Sequence, residues 1–334
     1  MPRADLILKL VRAGRRNDQQ VLDQIIHEII AEEREKKHQV FADRLEDSLA
    51  ITERAGSQDF SHHVDQQVKQ LFFEQVPRVG LEDIILPPIV RETCGEFIEE
   101  QQRKELLQSY NLKPRHKLLL AGPPGNGKTS LAEAIAFELS IPLITVRYEG
   151  IVGSYLGETS QRLRVLFDFV RNRRCVLFFD EFETLGKERG DEHETGEIKR
   201  VVSALLLQID ALPSYVVVVA ASNHPELLDR AVWRRFELRL DLPKPDKKQI
   251  LTWLERLEKQ LKTSLGIPLE KVTEQIHFDS FSDLEQFGLD LKRKQILYGR
   301  DSELQGLVKK CIHQWKERMK PRNEGEKTWR TDPS

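Results

Sequence analysis

The sequence predicts an α/β fold: a parallel sheet sandwiched by helices, followed by a helical C-terminal part and preceded by a helical bundle. Three observations predict it. Short continuous apolar runs, "KLLLAG", "PLITVR", "CVLFFDE", "YVVVVAASN" and "FELRLDL", alternate with helical patterns between residues 70 and 243, as strands buried on both faces and their crossover helices require. Before residue 55 and after residue 244 apolar residues recur at helical spacing only. The first of the runs enters a glycine-rich loop that opens a helix, "LLLAGPPGNGKTSLAEAIA", residues 118–136.

Taken in chain order, residues 1–55 carry Leu6, Ile7, Leu10 and Val11, then Val21, Leu22, Ile25, Ile26, Ile29 and Ile30, then Val40, Phe41, Leu45 and Leu49. That spacing gives amphipathic helices, with Gly14 and Asn17 punctuating the first from the second, and a small bundle buries their apolar faces. The pattern dissolves in "ERAGSQDFSHHVD", so residues 56–69 read as a linker; His62 and His63 lack partner ligands at zinc spacing. Residues 70–243 form the α/β part. Pro243 and Pro245 then interrupt both helix and strand, and residues 244–316 turn helical through "QILTWLERLEKQL", "SDLEQFGLDLKRKQIL" and "SELQGLVKKCIHQW". The polar tail, residues 317–334, carries Pro321 and Gly325 and is expected to lack fixed structure.

Composition narrows the partners. Of 334 residues 39% are hydrophobic and 32% charged, enough apolar surface for a real core. Lys and Arg number 52 against 54 Asp and Glu, so the net charge of -2 gives no global attraction for nucleic acid. Cys94, Cys175 and Cys311 have neither metal-ligand nor disulfide spacing, which fits a reducing compartment. "MPRADLILKLVRAG" is too soon charged again for a signal peptide, and no apolar run is long enough to span a membrane. A cytoplasmic protein is expected.

The loop Gly122-Pro123-Pro124-Gly125-Asn126-Gly127-Lys128-Thr129 has the spacing G-x-x-x-x-G-K-[ST] between strand and helix. Glycines let successive backbone N–H groups converge on phosphate oxygens, and the helix N-terminus that continues through Ser130 adds favourable charge. Lys128 is expected to reach the outer phosphates of ATP, and Thr129 to place its hydroxyl on Mg²⁺. "CVLFFDEFETL" ends a buried strand in Asp180-Glu181, one carboxylate for the metal ion and the next for a water attacking in line. Asn223 ends "VVVVAASN", where a neutral amide can position that water without competing for the metal.

These residues together resemble the AAA+ ATPases, and within them the core AAA branch of katanin-like and spastin-like enzymes and FtsH-like protease modules. The resemblance covers about residues 70–316 and implies a P-loop NTPase module with a helical lid. By it "GPPGNGKT" is Walker A, "VLFFDE" is Walker B and Asn223 is sensor 1. "LLDRAVWRRFELRLDLPKPD" is similar to the second region of homology, whose arginines reach a neighbour's nucleotide. Here Arg234 and Arg235 are adjacent, where the usual pattern separates them by two residues, and either can be the arginine finger. Tyr155-Leu156-Gly157 falls where the family has its channel-lining pore loop, and Ser282-Asp283-Leu284 fits the core AAA form of sensor 2, which lacks an arginine.

The resemblance implies a homo-oligomeric ring, a hexamer, that hydrolyses ATP between subunits and remodels a protein substrate. The N-terminal bundle would recruit that substrate, an adaptor or a separate protease. No zinc peptidase is expected in the sequence, since "HEIIA" lacks the second histidine of H-E-x-x-H. The alternative is an ATP-dependent assembly switch, or a nucleic-acid-associated ATPase, that moves no polypeptide. The charged run "KERGDEHETGEIKR" reads equally as a second channel loop and as a solvated helix.

Overall fold

The computed structural model describes residues 70–151, 156–185, 202–298 and 304–319, all within the compact unit Val68–Ser334. The expected bundle and linker, Tyr155 and the whole charged run 187–200 lie outside the described residues, as does the tail from residue 320.

The sheet follows from the apolar runs. β1 (Phe72–Gln75), β2 (Lys117–Ala121), β3 (Leu143–Val146), β4 (Cys175–Phe179), β5 (Val216–Ser222) and β6 (Leu238–Asp241) form one six-stranded sheet in the order β1, β3, β4, β5, β2, β6. Every pairing is parallel except β1 with β3. Strand β4 shows why its sequence is apolar throughout. Cys175, Leu177 and Phe179 face one core cluster, while Val176 and Phe178 face the other. Alternate side chains leave opposite faces of a strand, so a sheet covered on both sides tolerates no polar alternation.

Helices complete both layers. On one side α1 (Pro88–Gln102) buries Val90 and Phe97, and α3 (Lys128–Glu138) buries Leu131 and Ile135. A short α2 (Lys104–Ser109) follows α1. On the other side α5 (Leu156–Arg171) contributes Leu163, Leu166 and Phe167, and α6 (residues 202–210) contributes Leu205 and Ile209. One-turn helices α4 (Tyr148–Ile151) and α7 (Arg230–Trp233) follow β3 and precede β6.

The edge strand β1 was not foreseen. Its "FFEQ" buries only Phe72, so it lacks the double-sided signature of its neighbours. Phe73 instead carries the guanidinium of Arg147 at 3.2 Å from its ring centroid.

The lid is a separate helical layer with its own core. Helix α8 (Lys247–Leu261) starts at a capping box of Asp246 and Gln249, and α9 (Leu269–Gln275), α10 (Phe281–Tyr298) and α11 (Leu304–Met319) pack with it around Leu254, Phe287 and Trp315. Helix α11 runs to Met319, three residues past the boundary expected at 316, and α9 is an addition. Sequence periodicity fades there because Lys316, Glu317 and Arg318 interrupt the apolar pattern before Met319.

All three cysteines are buried and none forms a disulfide, and burial pushes the Cys94 and Cys175 thiols up to about 12. These two thiols remain protonated and unreactive at neutral pH.

Candidate active site

The strand order decides where the site lies. Strand β2 is flanked by β5 and β6, yet its crossover through α3 leads to β3, beyond β4 and β5. Ligands of open parallel sheets collect at the C-terminal strand ends beside such a reversal. There the glycine-rich loop after β2 meets Asn223 after β5 and Asp180-Glu181 after β4.

The loop is held by close approaches. Gly122 has φ +144, and a Cβ there would lie 2.2 Å from the Leu242 carbonyl oxygen, so no side chain fits. Gly125 has φ +76, and a Cβ on it would meet the hydroxyls of Ser280 and Ser282 at 3.0 Å. Lys128 opens α3 and is buried; its Nζ donates to the carbonyl oxygens of Gly122 at 2.7 Å and Pro123 at 3.0 Å. Desolvation lowers the pKa of that amine, against the raising influence of Asp180 and Glu183.

Opposite the loop, Thr129 Oγ1 donates to Asp180 Oδ2 at 3.1 Å, while Asp180 Oδ1 accepts from the Glu181 backbone N–H at 3.0 Å. Glu181 is exposed and has φ +47. A non-glycine residue in the left-handed region stores strain of about 1–3 kcal/mol, and such strain concentrates at functional sites. A cavity of about 290 Å³ joins these groups: Pro124, Gly125, Gly127, Lys128, Thr129 and Ser130 from the loop side, Asp180, Glu181 and Asn223 from the strand ends. Gly122 and Pro123 stand behind it as acceptors for the lysine, and Asn126 is buried within the loop.

Comparison with known proteins agrees with this geometry. Residues 118–244 match the family model described as ATPase family associated with various cellular activities (AAA). The chain is 37% identical over 258 residues to an AAA family ATPase, y4kL, of Sinorhizobium fredii, covering 74% of this chain and 76% of that protein. The chain belongs to the AAA family of ATPases. It is an ATP-hydrolysing enzyme. It is also 33% identical over 224 residues to the peroxisomal ATPase pex6 of Schizosaccharomyces pombe and 37% over 180 residues to a cell division cycle protein 48 homologue of Archaeoglobus fulgidus. Those matches cover 64% and 52% of this chain but 23% and 25% of the two relatives, so the chain spans about a quarter of their length.

The structure separates the remaining family residues. Arg234 and Arg235, just after α7, do not line the cavity. Arg235 Nε donates to Asp210 Oδ2 at 2.7 Å and its Nη1 to the Ala231 carbonyl at 3.3 Å. Arg234 is exposed, and its side chain has no hydrogen-bond or ion-pair partner among the described residues. Leu156 and Gly157 lie in α5, where Gly157 is exposed.

The lid reaches the same cavity through Phe281, Ser282 and Glu285. Ser282 N–H donates to the Gly125 carbonyl at 3.0 Å, and Phe281 N–H donates to Asn126 Oδ1 at 3.3 Å. Asp283 anchors this start, accepting from Ser280 N–H at 3.0 Å while its own N–H donates to Ser280 Oγ at 3.2 Å. Sequence reasoning singled out Ser282 without foreseeing that its backbone holds the loop.

It missed two further residues. Glu183 is buried in the 3₁₀ turn Phe182–Leu185, and its Oε1 accepts from the Asn223 N–H at 3.1 Å. Tyr148 follows β3 with its hydroxyl shut away from water. In "DEFETL" the third acid stands between Phe182 and Leu185, the apolar ends of the turn, the one signal that could have marked it as buried.

Proposed function

We propose that the protein is a protein-remodelling ATPase that works as a homo-oligomeric ring, hydrolysing ATP between copies and pulling on a polypeptide through Tyr155, Leu156 and Gly157. In this reading Glu181 takes the proton from a water that the Asn223 amide orients, Lys128 neutralises the outer phosphates, and Gly125, Gly127 and the start of α3 through Ser130 cradle them. Hard oxygen donors suit Mg²⁺. The Thr129 hydroxyl and Asp180 carboxylate, 3.1 Å apart at the cavity wall, fit it as a pair. Bound there with the phosphates, the ion would offset their charge.

The observation that carries the inter-copy part is the contrast between the two arginines. A finger has to be free to enter another copy's site, and Arg235 is tied to Asp210 whereas the Arg234 side chain is exposed and unpaired among the described residues. Arg234 is therefore our finger, and Arg235 braces α7 against α6. The remodelling part rests on the resemblance to core AAA proteins. An aromatic side chain grips extended peptide without reading its sequence. Within the same reading residues 1–55 recruit the substrate, an adaptor or a separate protease, residues 56–69 link them to the module, and the protein works in the cytoplasm. No described helix is long and apolar enough to cross a membrane.

The test is turnover against protein concentration for Arg234→Ala and Arg235→Ala. A finger in trans is worth about three to five orders of magnitude. Arg234→Ala is expected to lose that much while binding ATP normally, and Arg235→Ala to lose far less. Turnover per chain that stays constant on dilution, and survives Arg234→Ala, would refute the inter-copy site. Tyr155→Ala is expected to spare ATPase activity and abolish unfolding of a test protein; intact unfolding in the variant would refute the grip assigned to Tyr155, and no unfolding by the unsubstituted protein would favour the assembly-switch alternative.

A further inference from the structure

Behind the cavity, two polar atoms are sealed from water with no partner among the described residues: the Tyr148 hydroxyl and Glu183 Oε2. Buried polar groups are almost always bonded, so each such exception calls for a physical reason. They are chemically complementary. An ionised carboxylate only accepts, and a phenol can donate. Burial, reinforced by the negative charges of Asp180, Glu183 and Glu181, raises the Tyr148 pKa well above its usual value, so the proton stays on. The ring packs against the core beneath the sheet, which fixes where its hydroxyl can go.

The positions of the two residues give the pairing a use. Tyr148 follows β3, Glu183 follows β4, and the Asn223 N–H that Glu183 Oε1 accepts follows β5. Glu181 stands between two anchors: its N–H is held by Asp180, and two residues on, Glu183 is held by Asn223. Its φ of +47 persists only while both anchors hold, since a strained residue relaxes unless its surroundings over-determine it.

We propose that Tyr148 is a positioning residue for ATP hydrolysis, its O–H donating to Glu183 Oε2 through one internal water. The chain Tyr148, Glu183, Asn223 thereby ties three strand ends together and keeps Glu181 aimed at the cavity. Tyr148 touches neither the nucleotide nor the attacking water; it acts through Glu183. This rests on the assignment of Glu181 and Asn223 to the attacking water.

Tyr148→Phe is the test, because it removes one oxygen and keeps the ring. A hydroxyl merely trapped in the fold would leave a protein that melts at the same or a higher temperature with unchanged turnover. The positioning role predicts a variant still fully folded at the assay temperature, its melting temperature lowered by a few degrees because the buried Glu183 oxygen loses its donor, and a kcat lower by about ten- to a hundredfold. KM and the nucleotide dissociation constant should stay within about twofold, since ground-state binding is untouched.

Glu183→Gln keeps an acceptor for the Asn223 amide but turns an NH₂ toward the phenol. It should show the same split, and the double variant should be no slower than the worse single one, as members of one chain are not additive. Unchanged kcat in Tyr148→Phe, a fall in melting temperature that accounts for the lost activity, or additive losses in the double variant would each overturn the proposal. Glu181→Gln in the same assay separates the layers. If it turns over normally, the underlying assignment fails; if it is inactive while Tyr148→Phe is normal, only the role of Tyr148 fails.

Discussion

The two walls of the nucleotide cavity are built in opposite ways. On the loop wall, polar groups bond to one another: Lys128 spends its amine on Gly122 and Pro123, Asn126 accepts from the lid, and the Gly125 carbonyl takes the Ser282 N–H. On the strand-end wall, Glu181 is strained and exposed, and Glu183 and Tyr148 each keep an atom without a partner among the described residues. In the proposed function the difference divides the work. A wall that binds gains from internal bonds that hold its shape and can be exchanged for phosphate contacts, because those contacts then cost little reorganisation. A wall that reacts must hold groups at the geometry of a transition state, and it carries strain and unsatisfied polarity to do so.

The sharpest way to break the comparison is Glu181→Gln, the largest effect expected from either wall. If the strand-end wall only binds, the substitution weakens affinity. We expect turnover to fall by about two to four orders of magnitude, the range of a lost general base, with ATP affinity kept or improved by removal of a negative charge. Steady-state hydrolysis and equilibrium nucleotide binding on the same sample decide it.

Lys128→Met should do the reverse and come next in size. The amine is buried within the glycine-rich loop, and losing one partner of a buried charge pair costs about 2–5 kcal/mol. Affinity for ATP should drop by roughly two to three orders of magnitude, with little change in melting temperature, since the variant no longer buries a charge and the Pro123 carbonyl keeps the Asn126 Nδ2 donor at 3.4 Å. If turnover at saturating ATP fell while affinity stayed normal, the division between walls would be wrong.

How much of this was legible in the sequence follows the same division. The loop wall was readable because backbone geometry dictates it. Gly122 and Gly125 have to be glycines, and Lys128 and Thr129 stand at fixed offsets from them. The strands were readable for a similar reason, β4 needing apolar residues on both faces. What escaped depends on tertiary placement. Glu181 and Glu183 are both acids two positions apart, and only the 3₁₀ turn exposes one and buries the other. Tyr148 looks like any tyrosine after a strand until three carboxylates are brought around its hydroxyl. The choice between Arg234 and Arg235 was open in the sequence because adjacency erased the usual spacing, and Asp210, some 25 positions away, is what distinguishes them. The lid's grip on Gly125 spans 157 positions and has no local signature.

The smallest expected effect sharpens the contrast from the loop side, through pH. Desolvation lowers the Lys128 pKa from its ordinary 10.5. Below the lowered value the amine is charged in folded and unfolded chains alike, and the fold carries the full cost of burying that charge. As pH rises through the folded pKa toward 10.5, the folded protein gives up the proton while the unfolded chain still holds it. Stability contributed at this position therefore rises with pH across that window and levels off above it. Nucleotide affinity should move the other way, because phosphate needs the ammonium. Titrations of melting temperature and of ATP dissociation constant from neutral pH to about pH 10 would show the two trends diverge. Other groups that titrate in that range add their own slopes, so the comparison is with Lys128→Met, in which the lysine's share of both slopes should vanish. Identical slopes in the variant would mean that the lysine is solvated in the folded protein, and that the loop wall is held by something other than its buried amine.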